Sequence, residues 1–134
     1  MKPNKEEIKY YKDVLNKVYD FMFSKGYVSK KRPTVVLRFE EPKDIFSPTA
    51  YFDPNTNKIH LFVARRWCKD VVRSFCHECI HKSQNENGTI DKSGYSGTNI
   101  TEDKGLRRLE SEAYLYGNWA FRSWTEEEQK KKNK

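Results

Sequence analysis

Apolar residues recur with two different periods along this chain, and the changes of period mark out its elements. From residue 4 to 25, Ile8, Tyr11, Leu15, Val18, Phe21 and Met22 fall three or four apart, the spacing of one helical face. Gly26 follows where a helix C-terminus is capped. After Pro33 the period shortens: "TVVLRFE" is β-branched and alternating, and reads as a strand. "TAYFDPNTNKIHLFVA" reads as two more short strands joined across Asp53 to Asn57, where Asp-Pro and the asparagines favour a turn. The helical period returns from about Trp67 to Gln84. It gives way to a loop rich in Gly, Ser and Asn from Asn85 to Asn99, then resumes from about Gly105 to Trp124 or beyond. The order helix, three strands, helix, loop, helix predicts an α+β fold. One domain is expected over residues 1–125, with the charged stretch 126–134 as the fraying end of the last helix.

The helix from Trp67 to Gln84 has two faces of different chemistry. At about 100° per residue, Cys68, Val72, Phe75, Cys76, Cys79 and Ile80 share an arc of about 140°, which is the face for the core. His77 and His81 lie within about 40° of each other on the opposite side, with Asp70 beside them. Cys76 and Cys79 therefore read as small buried apolar groups despite their C-x-x-C spacing. A helix cannot turn both cysteines and both histidines to one ion without unwinding. Histidines one turn apart can each bring a ring nitrogen to about 2 Å from one tetrahedral ion. Glu78 projects next to them. The plainer alternatives are a hydrogen-bonded structural pair and a non-catalytic zinc site. His60, in the middle of a predicted strand, reads as a packed or surface histidine.

Composition narrows the setting. With 134 residues, 36% apolar and 14% aromatic, the chain can build one core. Its first residues are charged throughout, and no run nears the roughly 20 apolar residues of a membrane span. Cys68, Cys76 and Cys79 crowd one segment, which is not how a disulfide framework is laid out, so a reducing, cytoplasmic setting is expected. The net charge is +7, and the tail "TEEEQKKKNK" supplies only +1 of it, so the excess is spread over the fold. That balance favours non-specific contact with polyanions. No finger spacing, helix-turn-helix or aromatic RNA-binding signature accompanies it, and "SKKR" at Ser29 to Arg32 reads as a solvated turn.

His77-Glu78-Cys79-Ile80-His81 is an H-E-x-x-H arrangement on a helix that follows a strand, and here the chain resembles the zinc metallopeptidases called zincins. The metzincin extension, a glycine and a third histidine following within one loop, is absent: after His81 the chain reads "KSQNENGTIDKSG", and the remaining histidine, His60, lies upstream. The resemblance is therefore to small gluzincins, often encoded by bacteria and their phages, whose third ligand is a glutamate on a later helix. "RRLESEAYLYGNWAFRSW" offers Glu110 and Glu112. Leu106, Leu109, Ala113, Tyr116, Ala120 and Trp124 form the apolar face of that helix. Glu110 lies at its margin and precedes Ala113 by three, matching the family arrangement; Glu112 is the reserve ligand.

The resemblance implies Zn²⁺ on His77, His81 and Glu110, a fourth position for water, and Glu78 as general base in peptide-bond hydrolysis. Many gluzincins carry an aspartate four residues after the ligand glutamate, and Tyr114 stands there in this chain. Support for the histidines is thus expected from Tyr114, Asp70, Asp91 or a backbone carbonyl. Tyr95, Tyr114, Arg107 or Arg108 would help hold the oxyanion. "KIHLFVA" would pair with an extended polypeptide substrate as an added strand. The alternative function is a binding or structural protein, for instance virion-associated, that keeps the fold and uses zinc for stability. Glu78 favours the enzyme, because a structural site has no need of a carboxylate aimed at an open position.

Overall fold

The computed structural model describes residues 4–45, 47–87 and 104–132. Its elements run α1 (Lys5–Ser24), β1 (Thr34–Arg38), β2 (Ala50–Asp53), β3 (Lys58–Phe62), α2 (Cys68–Glu86) and α3 (Lys104–Lys132). This is the α+β order expected. α1 starts on Asn4, whose side-chain oxygen accepts the Glu7 amide at 2.6 Å. It ends in a Schellman turn: the Gly26 and Tyr27 amides bond back to the Phe23 and Met22 carbonyls, at 3.1 and 2.9 Å. Gly26 has φ +84°, a left-handed conformation that costs glycine little.

The sheet has the order β1-β3-β2, with β1 parallel and β2 antiparallel to β3. The tight connection is the β2–β3 turn, where Asp53 accepts the Asn55 amide on its side chain and the Asn57 amide on its carbonyl, both at 2.9 Å. This topology corrects one expectation. "KIHLF" is the central strand, bonded on both sides, and offers no edge to a substrate. The edges belong to β1 and β2, and β2 is the edge strand that packs against α2. The Phe62 amide donates to the Thr49 carbonyl, so residues 49, 51 and 53 face β3 with their backbone groups. The amides and carbonyls of Ala50 and Phe52 consequently point away from the sheet.

Phe52, Ile59 and Leu61 line the inner sheet face and meet Val71, Val72, Phe75, Cys76, Cys79 and Ile80 of α2 in one buried cluster. α1 adds Leu15, Val18, Tyr19 and Met22, and α3 adds Ala113, Ala120 and Phe121. Cys76 and Cys79 are fully buried and Cys68, at the start of α2, is partly so, as the helical wheel predicts; burial pushes the Cys76 thiol up to about 12. The apolar face of α3 is rotated from the expected one. Gly117 and Phe121 are buried, whereas Tyr116 is 39% exposed. The cause is close helix packing at Gly117, described below. α2 runs two residues past Gln84, and α3 continues unbroken through the charged stretch to Lys132, with Arg122–Glu126 and Lys131–Glu128 pairs at 3.2 Å along it. The remainder of the predicted loop, from residue 88 onward, lies outside the described residues, and so do Asp91 and Tyr95.

Two cations, half-buried Arg66 and buried Lys82, fasten α2 at its ends. The Arg66 guanidinium donates to the Thr49, Phe62 and Asp70 carbonyls and to Ser74 Oγ, at 3.1, 2.8, 2.9 and 2.7 Å, tying the strand ends to the first turns of α2. Lys82, with no exposed surface, donates to Glu86 at 2.5 Å and to Ser29 at 3.3 Å. Among the described residues no helix is long and apolar enough to cross a membrane.

Candidate metal centre

α2 and α3 are the most extensively packed pair of elements, and their closest approach sets the site. A Cβ placed on Gly117 would stand 2.9 Å from the Cα of His77, so only a glycine lets the helices meet at this distance without displacement. Two turns earlier on α3, Glu110 is thereby brought over the His77–His81 face of α2. His77 Nε2 lies 3.2 Å from Glu110 Oε2, and His81 Nε2 lies 2.7 Å from Glu110 Oε1. One ligand atom from each of the three residues falls within 4.8 Å of the others, so together they could hold a metal ion.

The donor set fits a small divalent ion. Two imidazole nitrogens and a carboxylate, at bond lengths near 2.0–2.2 Å, would have tetrahedral edges of about 3.3 Å, close to the spacings observed. The histidines face α3 and are largely enclosed, His81 almost completely at 1% exposure. Glu110 is held well below the ordinary carboxylate range, at about 2. Burial opposes its ionisation, and the hydrogen bonds and charges of His77 and His81 outweigh that. Burial likewise works against charging His81, but the contact with Glu110 and the charge of Glu78 prevail and raise it.

His81 is oriented by a partner that sequence reasoning missed. Its Nδ1 donates to Gln84 Oε1 at 2.8 Å, and Gln84 Nε2 donates to the Leu109 carbonyl of α3 at 2.9 Å. The Leu109 carbonyl can only accept, which fixes the amide so that its oxygen faces His81 and leaves Nε2 of the imidazole to face Glu110. The available signal was a polar residue three positions after the second histidine, on the same helical face. Asp70, one of the expected supports, instead pairs with Arg73 at 3.2 Å, because its carboxylate is directed along the outer flank of α2. Tyr114 does reach the site as an aromatic neighbour, with ring centroids 4.5 Å apart from His77 at an angle of 62°.

Glu78 is 8% exposed and accepts a hydrogen bond from the backbone of Phe52, on the free edge of β2. Burial raises its carboxyl above the usual range, with the two imidazoles opposing and Glu110 adding to the rise. It opens, together with His77, Glu110 and Tyr114, into a cleft of about 330 Å³ bounded by Thr49, Ala50 and Tyr51 of the β2 edge on one side and Asn118 on the other. Glu112 lies elsewhere, in a separate hollow with Tyr116 and Trp119. Arg107 and Arg108 are exposed. His60 stacks on Tyr51, with centroids 4.4 Å apart, on the outer sheet face. Compared with protein-family models, with curated proteins and with solved structures, the chain matches none.

Proposed function

We propose that this protein is a zinc-dependent peptide hydrolase resembling the gluzincins. The observation that carries the reading is the convergence of His77, His81 and Glu110 beside a buried carboxyl, Glu78, at the floor of an open cleft. Two nitrogens and one oxygen suit zinc and leave a coordination position over, the pattern of catalytic rather than structural sites. Zinc bound there would supply Lewis acidity and a water of near-neutral pKa.

The chain's own groups account for the rest. Glu78 takes the proton of an attacking water and returns it to the leaving amine, and the Phe52 amide holds its carboxylate in place. Tyr114, flanking His77 at the cleft wall, supports the oxyanion. An extended peptide lies along β2, where the outward amide and carbonyl of Ala50 offer strand pairing next to the site. Glu78 is buried and makes no Lys or Arg ion pair among the described residues, which argues against the purely structural alternative.

Purified protein loaded with zinc should contain about one ion per chain and cleave an unstructured protein substrate. Glu78→Gln should keep the zinc and lose cleavage by a factor of roughly 10² to 10⁴. Unimpaired cleavage by that variant, or failure of metal-replete protein to hold zinc, would overturn the proposal.

A further inference from the structure

The two helices that carry the metal-binding residues continue past them as a second pair of polar stripes. On α2, stepping back four residues at a time from His81 leads to His77 and then Arg73. On α3, stepping forward from Glu110 leads to Tyr114 and then Asn118. His77 and Arg73 of the first stripe and Glu110, Tyr114 and Asn118 of the second line the cleft, which brings Arg73 and Asn118 to it one turn beyond His77 and Tyr114. They also line the shallower groove into which the cleft continues, beside Phe121 and Arg122. Arg73 is the one cation among the described residues that line the cleft.

Resting on the peptidase reading above, we infer that Arg73 and Asn118 form a subsite that binds a carboxylate of the substrate. Phe121 supports the guanidinium from below, its ring centroid 4.9 Å away, and Asp70 accepts from one Nη at 3.2 Å. A guanidinium has five N–H donors, so one contact to Asp70 leaves most of the fork for a second carboxylate. The Asp70 pair is itself half exposed on both sides, at 55% and 45%, and such pairs are worth no more than a few-fold in an equilibrium. It positions the arginine without saturating it. The Asn118 amide adds a neutral donor from α3. Glu78 and Glu110, the other charged groups of the cleft, are committed at its metal end.

The distance sets where the carboxylate sits. Four helical residues advance about 6 Å, and an extended peptide advances about 3.3 Å per residue. The subsite therefore reads a group about two residues from the scissile bond. That group is either an acidic side chain, giving an endopeptidase that cuts near Asp or Glu, or the C-terminal α-carboxylate, giving an enzyme that trims short fragments from chain ends.

Four fluorescent peptides of one sequence separate these sources: Glu or Gln at the positions flanking the cut, each with a free or an amidated C-terminus. Their binding to zinc-loaded Glu78→Gln protein is read by anisotropy, and their cleavage by the wild type is mapped by mass spectrometry. The Glu peptides should bind about tenfold or more tightly than the Gln peptides if the side chain is read. The free-acid peptides should show the same margin over the amides if the terminus is read. Arg73→Gln should bring the relevant ratio close to one, Arg73→Lys should restore part of it, and added salt should reduce it. Cleavage with no charge preference, or a preference that survives Arg73→Gln, overturns the subsite and leaves the peptidase standing. Charge-selective binding with no cleavage of any peptide supports the subsite and overturns the peptidase.

Discussion

The imidazole of His81 is held from two sides, and the side away from the cleft decides what the other can bind. A neutral imidazole ligates through the nitrogen that bears no proton, so the proton must sit on Nδ1 for Nε2 to coordinate. The Leu109 carbonyl turns the Gln84 amide oxygen toward Nδ1, and this chain of contacts imposes that tautomer from α3. Replacing Gln84 by Leu keeps the volume near constant and removes the acceptor. Zinc affinity should fall about 10- to 100-fold in competition with a chromophoric chelator, while Gln84→Glu should retain most of it. Equal affinities for the wild type and the Leu variant would mean that packing alone orients the ring. The sulfurs do not enter this account, since Cys76 and Cys79 are buried on the opposite face.

At the level of elements, the decisive contact is between two helices and has almost no side chain in it. Gly117 against the backbone of His77 sets how far α3 stands from α2, and the separation in turn sets whether Glu110 reaches both histidines. Gly117→Ala gains about 1 kcal/mol of helix propensity. It also drives a methyl group to 2.9 Å from a backbone atom that has no rotamer to escape into, a strain of roughly 1–3 kcal/mol. The variant should be no more stable than the wild type by denaturant titration, and should bind zinc at least about tenfold more weakly. Greater stability with unchanged affinity would show that the helices yield freely. Here the sequence is least legible. Hydrophobic period located every helix and strand to within a few residues, and the H-E-x-x-H spacing with a downstream glutamate pointed to the three converging residues. What period could not say is how elements are laid side by side. It marks β2 and β3 as neighbours through their short turn, but nothing in "TVVLR" announces that β1 adds in parallel on the far side of β3, leaving β2 at the edge. Nor does an apolar stripe reveal that a glycine will displace Tyr116 from it.

For the whole molecule, α3 is a 29-residue helix whose main attachment is its small-residue face on α2. Ala113, Gly117 and Ala120 let α3 lie close on α2, but as small residues they contribute little apolar side chain to that contact, where α1 inserts Leu15, Val18, Tyr19 and Met22 into the core. An ion held by His77 and His81 from α2 and by Glu110 from α3 would cross-link that small-residue seam. Because the three ligands come together only in the folded chain, binding free energy is folding free energy: at free zinc one hundred times the dissociation constant it amounts to about 2.7 kcal/mol. Chelation should therefore lower the melting temperature of zinc-loaded protein by several degrees, and restoring zinc should reverse it. The effect should also be local. Hydrogen exchange in the metal-free protein should accelerate most along α3 around Glu110 and Gly117, and in the second half of α2, while β3 and α1 keep their protection. A melting temperature indifferent to chelator, or exchange that rises uniformly, would mean that the seam is held by packing and that the ion, if bound, serves chemistry alone.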